Sequence, residues 1–388
     1  MDERARFIED WLRGGSANLA ALCRLYSISR KTGYKWLERF RQGGLANLDD
    51  RSHAAHRQPR RIAGSLERRL IEARRKHPSW GPKKLRAWLE LREPETSWPA
   101  ASTIGEALKH AGLVQGRKRP RRLTDTGPAP LAEPEASNEL WTIDYKGQFR
   151  TGDGRLCYPL TVVDGHSRFL LGVTAHGSTS YEEARDSLER LFRERGLPGR
   201  MRSDNGTPFA STGTARLSRM NVWWWKLGIV VERIEPGKPQ QNGRHERMHR
   251  TLKAETTRPP ASDRQRQQRL FDRFQREYNE ERPHEALGQR PPATEYEEST
   301  REYPKRLLDP EYPGWWERRR VRHDGRVKFL GEKYFLSEAL RGELVGLVEV
   351  EEDVWQIWFG PVEVALFDAA NRELWPLGSA ARSPRGGS

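Results

Sequence analysis

Asp144, Asp204 and Glu246 are the residues of this 388-residue chain whose type and setting could do chemistry. They stand in WTIDYKGQF, MRSDNGTPF and PQQNGRHERMHRTLKAE. Phosphodiester chemistry needs an activated water or hydroxyl and a stabilised leaving oxygen, and two Mg2+ ions about 4 Å apart can supply both. Mg2+ prefers carboxylates and keeps several waters, so three acids without His or Cys are enough to hold it. Asp144 lies inside an apolar, strand-like run that would fix its side chain on one face of a sheet. Asp204 ends a second such run. The Asn205-Gly206 turn after it lets the backbone peel away and leaves the carboxylate exposed. Glu246 comes three residues after Gly243, in the first turn of a helix, and Arg250 and Lys253 share its face at i+4 and i+7. Singly, each acid reads equally well as a strand acid, a turn former before glycine, or an acid favoured by the helix dipole. Their order and local settings together favour one shared metal site.

The elements that must position these acids follow from periodicity. LWTIDYKGQF, LCYPLTVVDGHS and RFLLGVTAH are three β-rich runs joined by short turns, an antiparallel meander. YEEARDSLERLFRERG is an amphipathic helix with Ala184, Leu188, Leu191 and Phe192 on one face. A short strand ending at Asp204, a helix over 214–227, a strand GIVVERIEP and two further helices complete the order β-β-β-α-β-α-β-α-α. That is the order of a ribonuclease-H-like α/β core, expected over 138–300. Beyond it, five strand-like runs with turns at Asp324-Gly325 and Glu352-Asp353 predict a small β-barrel over 301–375. The tail from 376 to 388 reads as disordered.

Upstream of the core the pattern is helical. Helices over 3–13 and 17–26 and a basic third helix capped by Ser29 describe a helix-turn-helix over 1–52. Arg30, Lys31, Tyr34 and Lys35 would project from the third helix toward DNA, with Trp36 and Phe40 packed inward. A plain three-helix core is the bland reading of the same spacing. A second helical set over 60–116 repeats the pattern, with Ser102 as N-cap and Gly112 as C-cap of its last helix. Its recognition face would run from Ser102 to Lys109. Residues 117–137 form a linker, basic at first (Arg117, Lys118, Arg119, Arg121, Arg122) and then Pro-rich.

Charge supports this division. The chain carries a net +15, and residues 1–122 hold 28 Lys and Arg against 13 Asp and Glu. The remaining residues balance, so the whole excess lies in the N-terminal third. Arg outnumbers Lys throughout, which a GC-rich genome would also produce, but mutational bias would not confine the excess to one segment. Such a segment suits a polyanionic partner. The only cysteines are Cys23 and Cys157, which disfavours a disulfide framework or a four-cysteine zinc site. No apolar stretch approaches the roughly 20 residues that span a bilayer, and the N-terminus lacks a signal-peptide pattern. A cytoplasmic protein, nucleoid-associated when bound to DNA, is expected, with no membrane partner.

WTIDYKGQF, SDNGTPF and PQQNGRHERMHRTLKAE resemble the three motifs of the DDE transposase and retroviral-integrase superfamily. More closely, the chain is similar to bacterial insertion-sequence transposases with an integrase core, and YNEERPHEALGQRPPATEY at 278–296 resembles the segment closing that core. The resemblance implies that Asp144, Asp204 and Glu246 bind two Mg2+ ions, with Mn2+ able to substitute and Asp144 bridging both. It implies hydrolysis at a transposon end that frees a 3′-hydroxyl, then in-line attack of that hydroxyl on target DNA. Asn205, Gly206, Gln241, Asn242 and Gly243 would shape the pocket and a loop over it. Arg250 and Lys253 would touch terminal DNA. A homo-oligomer, dimer or tetramer, would hold paired ends. In one departure, 41 residues separate Asp204 from Glu246, more than is usual in the group. The excess falls in STGTARLSRMNVWWWKLG, read as a surface insertion, with one or two of Trp223, Trp224 and Trp225 in the core and the third on a subunit or DNA. The zinc module of a retroviral integrase proper is absent. Two rivals remain: a DNA-binding protein that has lost catalysis, and a ribonuclease H hydrolase.

Overall fold

The computed structural model describes residues 3–14, 18–49, 62–114, 133–204, 206–210, 217–234 and 243–376. The chain divides into two compact units, Met1–Arg61 and Ile62–Ser388.

In the first unit, α1 (Glu3–Arg13), α2 (Leu19–Leu25) and α3 (Arg30–Gly43) enclose Phe7, Ile8, Cys23, Leu37 and Leu48. The side chains of Asn18 and Ser29 accept the Ala21 and Thr32 amides and so start α2 and α3. Gly33 lets these two helices meet, because a β-carbon there would lie 2.5 Å from Cys23 Sγ. Trp36 and Phe40 pack against this core, as the spacing predicts.

The second unit opens with α4 (Gly64–Lys76), α5 (Pro82–Arg92) and α6 (Ala101–His110) around Leu70, Trp80, Leu85, Trp88, Ile104 and Leu108. Ser102 is not the N-cap of α6. The helix already starts at Ala101, capped by the extended Ala100 (φ −57°, ψ 149°) without a side-chain hydrogen bond. Gly112 does end it, at φ +69°, with Leu113 N–H bonded to the Leu108 carbonyl at 2.9 Å.

The central sheet contains β1 (Leu140–Tyr145), β2 (Phe149–Arg150), β3 (Leu156–Asp164), β4 (Leu170–His176), β5 (Arg200–Ser203) and β6 (Val230–Arg233). Its order is β4-β3-β1-β5-β6, with β2 beside the start of β3. The meander β1-β3-β4 is antiparallel, while β5 and β6 run parallel to β1. The parallel connections require crossovers, supplied by α7 (Tyr181–Arg195) and α8 (Arg219–Lys226). These two helices cover one face, packing Phe192, Trp223 and Trp224 on Trp141, Ile143, Leu160 and Val162. The other face lies under α9 (Gly243–Thr256) and α10 (Arg264–Arg276), where Met248, Leu252, Phe271 and Phe274 meet Cys157, Val163, Leu170 and Val173. The edge strand β4 is capped by α10 and the π-turn after it. Gln268 bonds the Ala175 amide and Val173 carbonyl, and Asn279 bonds both backbone groups of Leu170.

The described part of the expected surface insertion, residues 217–228, is instead a core element. α8 buries Met220, Trp223 and Trp224 in the central sheet, and Val222 and Trp225 in the C-terminal region. The third tryptophan, Trp225, therefore packs within the chain, its ring 6.2 Å from that of Phe359. A helix with apolar residues on two sides suits a position between two cores.

The C-terminal region is not a closed barrel. It comprises β7 (Glu317–Arg320), β8 (Arg326–Phe329), β9 (Glu332–Phe335), β10 (Leu344–Glu351), β11 (Val354–Phe359), β12 (Val362–Asp368) and β13 (Glu373–Pro376). Five of these form an open antiparallel sheet, β13-β12-β11-β10-β7, and β8-β9 form a separate hairpin. The hairpin and α8 cover the apolar face that strand closure would otherwise have to seal. The turns at Gly325 (φ +75°) and Asp353 (φ +60°) fall where the sequence places them. The tail from 377 onward lies outside the described residues. No described helix is long and apolar enough to cross a membrane.

Candidate active site

Strand alternation sets the floor of the site. Trp141 and Ile143 of β1 enter the core under α7 and α8, so Thr142 and Asp144 face α9. On β3, paired with β1 through Asp144–Thr161 and Thr142–Val163, Thr161 faces the same way. Asp204 enters from the neighbouring parallel strand. The β1–β5 register ends at Ile143–Ser203, which leaves Asp144 and Asp204 one residue further along adjacent strands. Carboxyl ends of parallel strands are where open α/β sheets place their ligands. Glu246 comes from the exposed first turn of α9.

These three acids share an electrostatic environment. Burial pushes the Asp144 carboxyl up to about 7, and the charges of Asp204 and Glu246 add to the shift. Lys146 and the Tyr145 amide oppose it. A carboxyl so raised by burial and like charge is stabilised as an anion by a nearby cation. All-oxygen donors on three elements suit a hard divalent ion. Asp204 is held by the Gly206 amide, which donates to its Oδ1 at 3.1 Å. A β-carbon at Gly206 would sit 3.0 Å from Asp204 Oδ2, close enough that the carboxylate would have to shift by a few tenths of an ångström. Gly243 meets no such restriction: its β-carbon would point into open space. Asn205, Gln241 and Asn242 lie outside the described residues.

Beneath the acids is a polar chain whose role the spacing of the three carboxylates did not reveal. His245 and His249, one turn apart on α9, are both buried and both reach Thr161 Oγ1, at 2.6 and 2.7 Å from their Nε2 atoms. The same hydroxyl donates to the Asp144 carbonyl at 2.9 Å. His245 Nδ1 lies 2.9 Å from Thr142 Oγ1, and His249 Nδ1 lies 3.8 Å from Asp144 Oδ2. Burial lowers His245 to about 3. Burial, then His245 and Lys146, lower His249 to about 2, so both rings are neutral at physiological pH. Asp144, His245 and His249 can bring one donor atom each within 4.8 Å of one another. The signal was present in HERMH, whose i, i+4 histidines must share a helix face. HERMH also matches the H-E-x-x-H zinc-peptidase pattern. Here the two Nε2 atoms converge on a threonine hydroxyl, which fills the place between them.

The sequence-predicted DNA contacts divide into three groups. Arg30, Lys31, Tyr34 and Lys35 are exposed together on α3, and Lys109 is exposed on α6. Arg250 and Lys253 are exposed along α9 beyond Glu246. Arg117, Lys118, Arg119, Arg121 and Arg122 lie outside the described residues.

A mixed sheet of this strand order with acids at its carboxyl edge, preceded by helical units, has a ribonuclease-H-like architecture, and sequence comparison gives an integrase core. Integrase core domains match residues 134–239 and 227–292, a helix-turn-helix domain matches 3–60, and a homeodomain-like domain matches 32–108. A Burkholderia multivorans protein described as the insertion element IS407 uncharacterized 31.7 kDa protein is 30% identical over 231 residues, covering 58% of this chain and 77% of that one. The insertion element IS476 uncharacterized 39.2 kDa protein of Xanthomonas euvesicatoria is 27% identical over 296 residues, 74% of this chain and 80% of that one. Among solved structures, a chain of the simian T-cell lymphotropic virus intasome, in complex with a PP2A regulatory subunit, aligns over 76% of this chain and 97% of its own, with 16% identity and a TM-score of 0.37. The chain belongs to the insertion-sequence transposases with an integrase core of the retroviral type.

Proposed function

We propose that this protein is a DNA transposase that binds the terminal inverted repeats of its element, hydrolyses a phosphodiester at each end and transfers the freed strand to target DNA. What supports this reading is that Asp144 and Asp204 stand one residue beyond the paired ends of adjacent strands, with Glu246 on α9 near enough for its charge to raise the Asp144 carboxyl. The three carboxylates would hold two divalent ions, Mg2+ or Mn2+. Bound there, the ions would lower the pKa of the attacking water and stabilise the leaving oxygen. The rigid strand holds Asp144, and Gly206 leaves Asp204 room to turn inward. Water attacks phosphorus, the bond to the 3′-oxygen breaks, and that oxygen leaves as a 3′-hydroxyl. The hydroxyl then attacks a target phosphodiester in line, displacing its 3′-oxygen, with no covalent bond to protein. Arg250 and Lys253 would hold phosphates of the terminal strand. The α3 cations, Lys109 and the basic linker would bind the end sequence, and reading two ends at once calls for at least two protomers.

The test is incubation of the full-length protein with Mg2+ and labelled duplex carrying the element's ends. Nicking and strand transfer are expected, and Asp204→Ala should abolish both by at least about 10³-fold while end binding persists. Binding without cleavage would replace this reading with that of a non-catalytic DNA-binding protein. Hydrolysis of RNA–DNA hybrids alone would replace it with a ribonuclease H.

A further inference from the structure

Thr161 Oγ1 has one proton and three close neighbours: the Asp144 carbonyl at 2.9 Å and the Nε2 atoms of His245 and His249 at 2.6 and 2.7 Å. A carbonyl oxygen can only accept, so the hydroxyl proton goes to Asp144. The hydroxyl lone pairs must then accept from both imidazoles. Each neutral ring therefore carries its proton on Nε2 and a lone pair on Nδ1. For His245 that lone pair faces Thr142 Oγ1 at 2.9 Å, whose single proton is shared with the Val163 carbonyl at 3.3 Å, so both ring nitrogens have a partner. For His249 the atom that carries the lone pair, Nδ1, lies 3.8 Å from Asp144 Oδ2. Two lone-pair atoms at that separation do not hydrogen-bond each other. They are, however, within the span of two coordination bonds of about 2.1 Å each to a common ion.

We propose that His249 Nδ1 is a ligand, together with Asp144 Oδ2, of the same divalent ion, making that position a mixed nitrogen–oxygen site. The proposal rests on the metal-binding reading of the three acids and adds a fourth protein donor to it. Thr161 is then a positioning residue. By accepting from Nε2 it fixes the tautomer and ring plane of His249, and by donating to the Asp144 carbonyl it ties that ring to the strand bearing the carboxylate. Metal-ligating histidines are commonly held through their other nitrogen in this way. An imidazole donor favours borderline ions such as Co2+ most, and Mn2+ less strongly, over Mg2+, so Co2+ should gain more than Mn2+, and Mg2+ least, relative to three carboxylates.

The experiment uses full-length protein and Mn2+ alone, read by electron spin-echo envelope modulation and by calorimetric titration. A histidine 14N coupling to bound Mn2+ is expected in the unaltered protein, so the first readout needs no variant. His249→Asn should remove the coupling and lower Mn2+ affinity about tenfold, with a smaller loss for Mg2+. His245→Gln should keep the coupling. Circular dichroism and thermal unfolding would establish that each variant folds. Bound Mn2+ without nitrogen coupling overturns the inference and leaves the three-acid site standing. Retention of the coupling in His249→Asn overturns it equally. Absence of any Mn2+ binding, together with absence of cleavage, overturns both this inference and the transposase reading.

Discussion

The two three-helix units are alike in sequence pattern and unlike in how the fold uses them. The first, α1–α3, belongs to its own compact unit and presents Arg30, Lys31, Tyr34 and Lys35 together on one helix. The second, α4–α6, is built into the same unit as the central sheet. Its α5 lies against the segment after α10: Lys84 Nζ donates to the Pro283 carbonyl, and Trp88 Nε1 and Arg92 reach Glu281 Oε2 at 3.3 and 3.0 Å. His77, stacked on Trp80 at 3.8 Å, bonds Glu277 at 2.7 Å. Its third helix shows Lys109 and His110 but also Glu106 to solvent. The same helical pattern thus serves one compact unit of its own and another that is packed on the segment closing the core. Helix periodicity reports which residues turn inward; it does not report which neighbour a helix will meet.

Cavity mutations should break or confirm this contrast most strongly. Leu85→Ala and Leu37→Ala each remove a buried leucine and should each cost about 2–5 kcal/mol. Leu85→Ala should lower the main calorimetric transition, because α5 unfolds with the sheet. Leu37→Ala should lower only a separate transition of the first unit and leave the main one in place. A shift of the main transition by both variants would mean that the two units fold as one.

A smaller effect is expected from charge. Replacing Arg30, Lys31 and Lys35 together by alanine should weaken binding to end DNA about tenfold to a hundredfold. It should also flatten the salt dependence by about one slope unit for each phosphate that the protein no longer neutralises. Filter binding across a salt series measures both quantities, and an unchanged slope would remove α3 from the DNA interface.

Smaller again is the effect of weakening the Glu281 hydrogen bonds. Glu281→Gln keeps the shape but weakens the bonds to Trp88 and Arg92, for a loss of about 1 kcal/mol at this half-exposed position. Thermal unfolding of the main transition measures it. Loss of a similar size from Lys31→Ala would blur the distinction between the units.

The smallest effect is acid sensitivity. The hydrogen bond from His77 chiefly holds the Glu277 carboxyl below its ordinary value, with the charges of His77, Arg282 and Lys76 assisting against burial. A carboxyl depressed in the folded state contributes stability above its unfolded value, about 4.3, and loses it as pH falls through the lower folded value. The second helical unit should therefore loosen only below about pH 4, seen as a change in tryptophan fluorescence that Glu277→Gln abolishes.

Much of the active site was legible in the sequence because its parts are local. Asp144 in a strand, Asp204 before a glycine turn and Glu246 at a helix start are each fixed by neighbours within a few residues, and each is found there. The apolar face of α7 emerged residue for residue, since one helix against one sheet leaves a single stripe. Three expectations failed where a second partner intervened. α8 looked like a surface insertion because its apolar residues do not form one stripe; they form two, one for each core. The C-terminal strands looked like a barrel because alternation shows a buried face without showing what buries it, and a hairpin and a helix do so here. Ser102 looked like a cap because the propensity is right, but the helix starts ahead of it, at Ala101, and takes Ser102 into its first turn.

Sequence alone determined the three acids, their order, the crossover pattern of the core and the confinement of positive charge to the first 122 residues. Each of these depends on composition or on interactions between near neighbours. Only the tertiary structure decided that Asp144 and Asp204 end adjacent strands, and that Thr161, 17 residues from Asp144, bonds its carbonyl. Only there does the Nδ1 edge of His249 come to lie beside the Asp144 carboxylate. Strand register and helix docking bring these groups together over long sequence separations, and neither leaves a local trace in the chain.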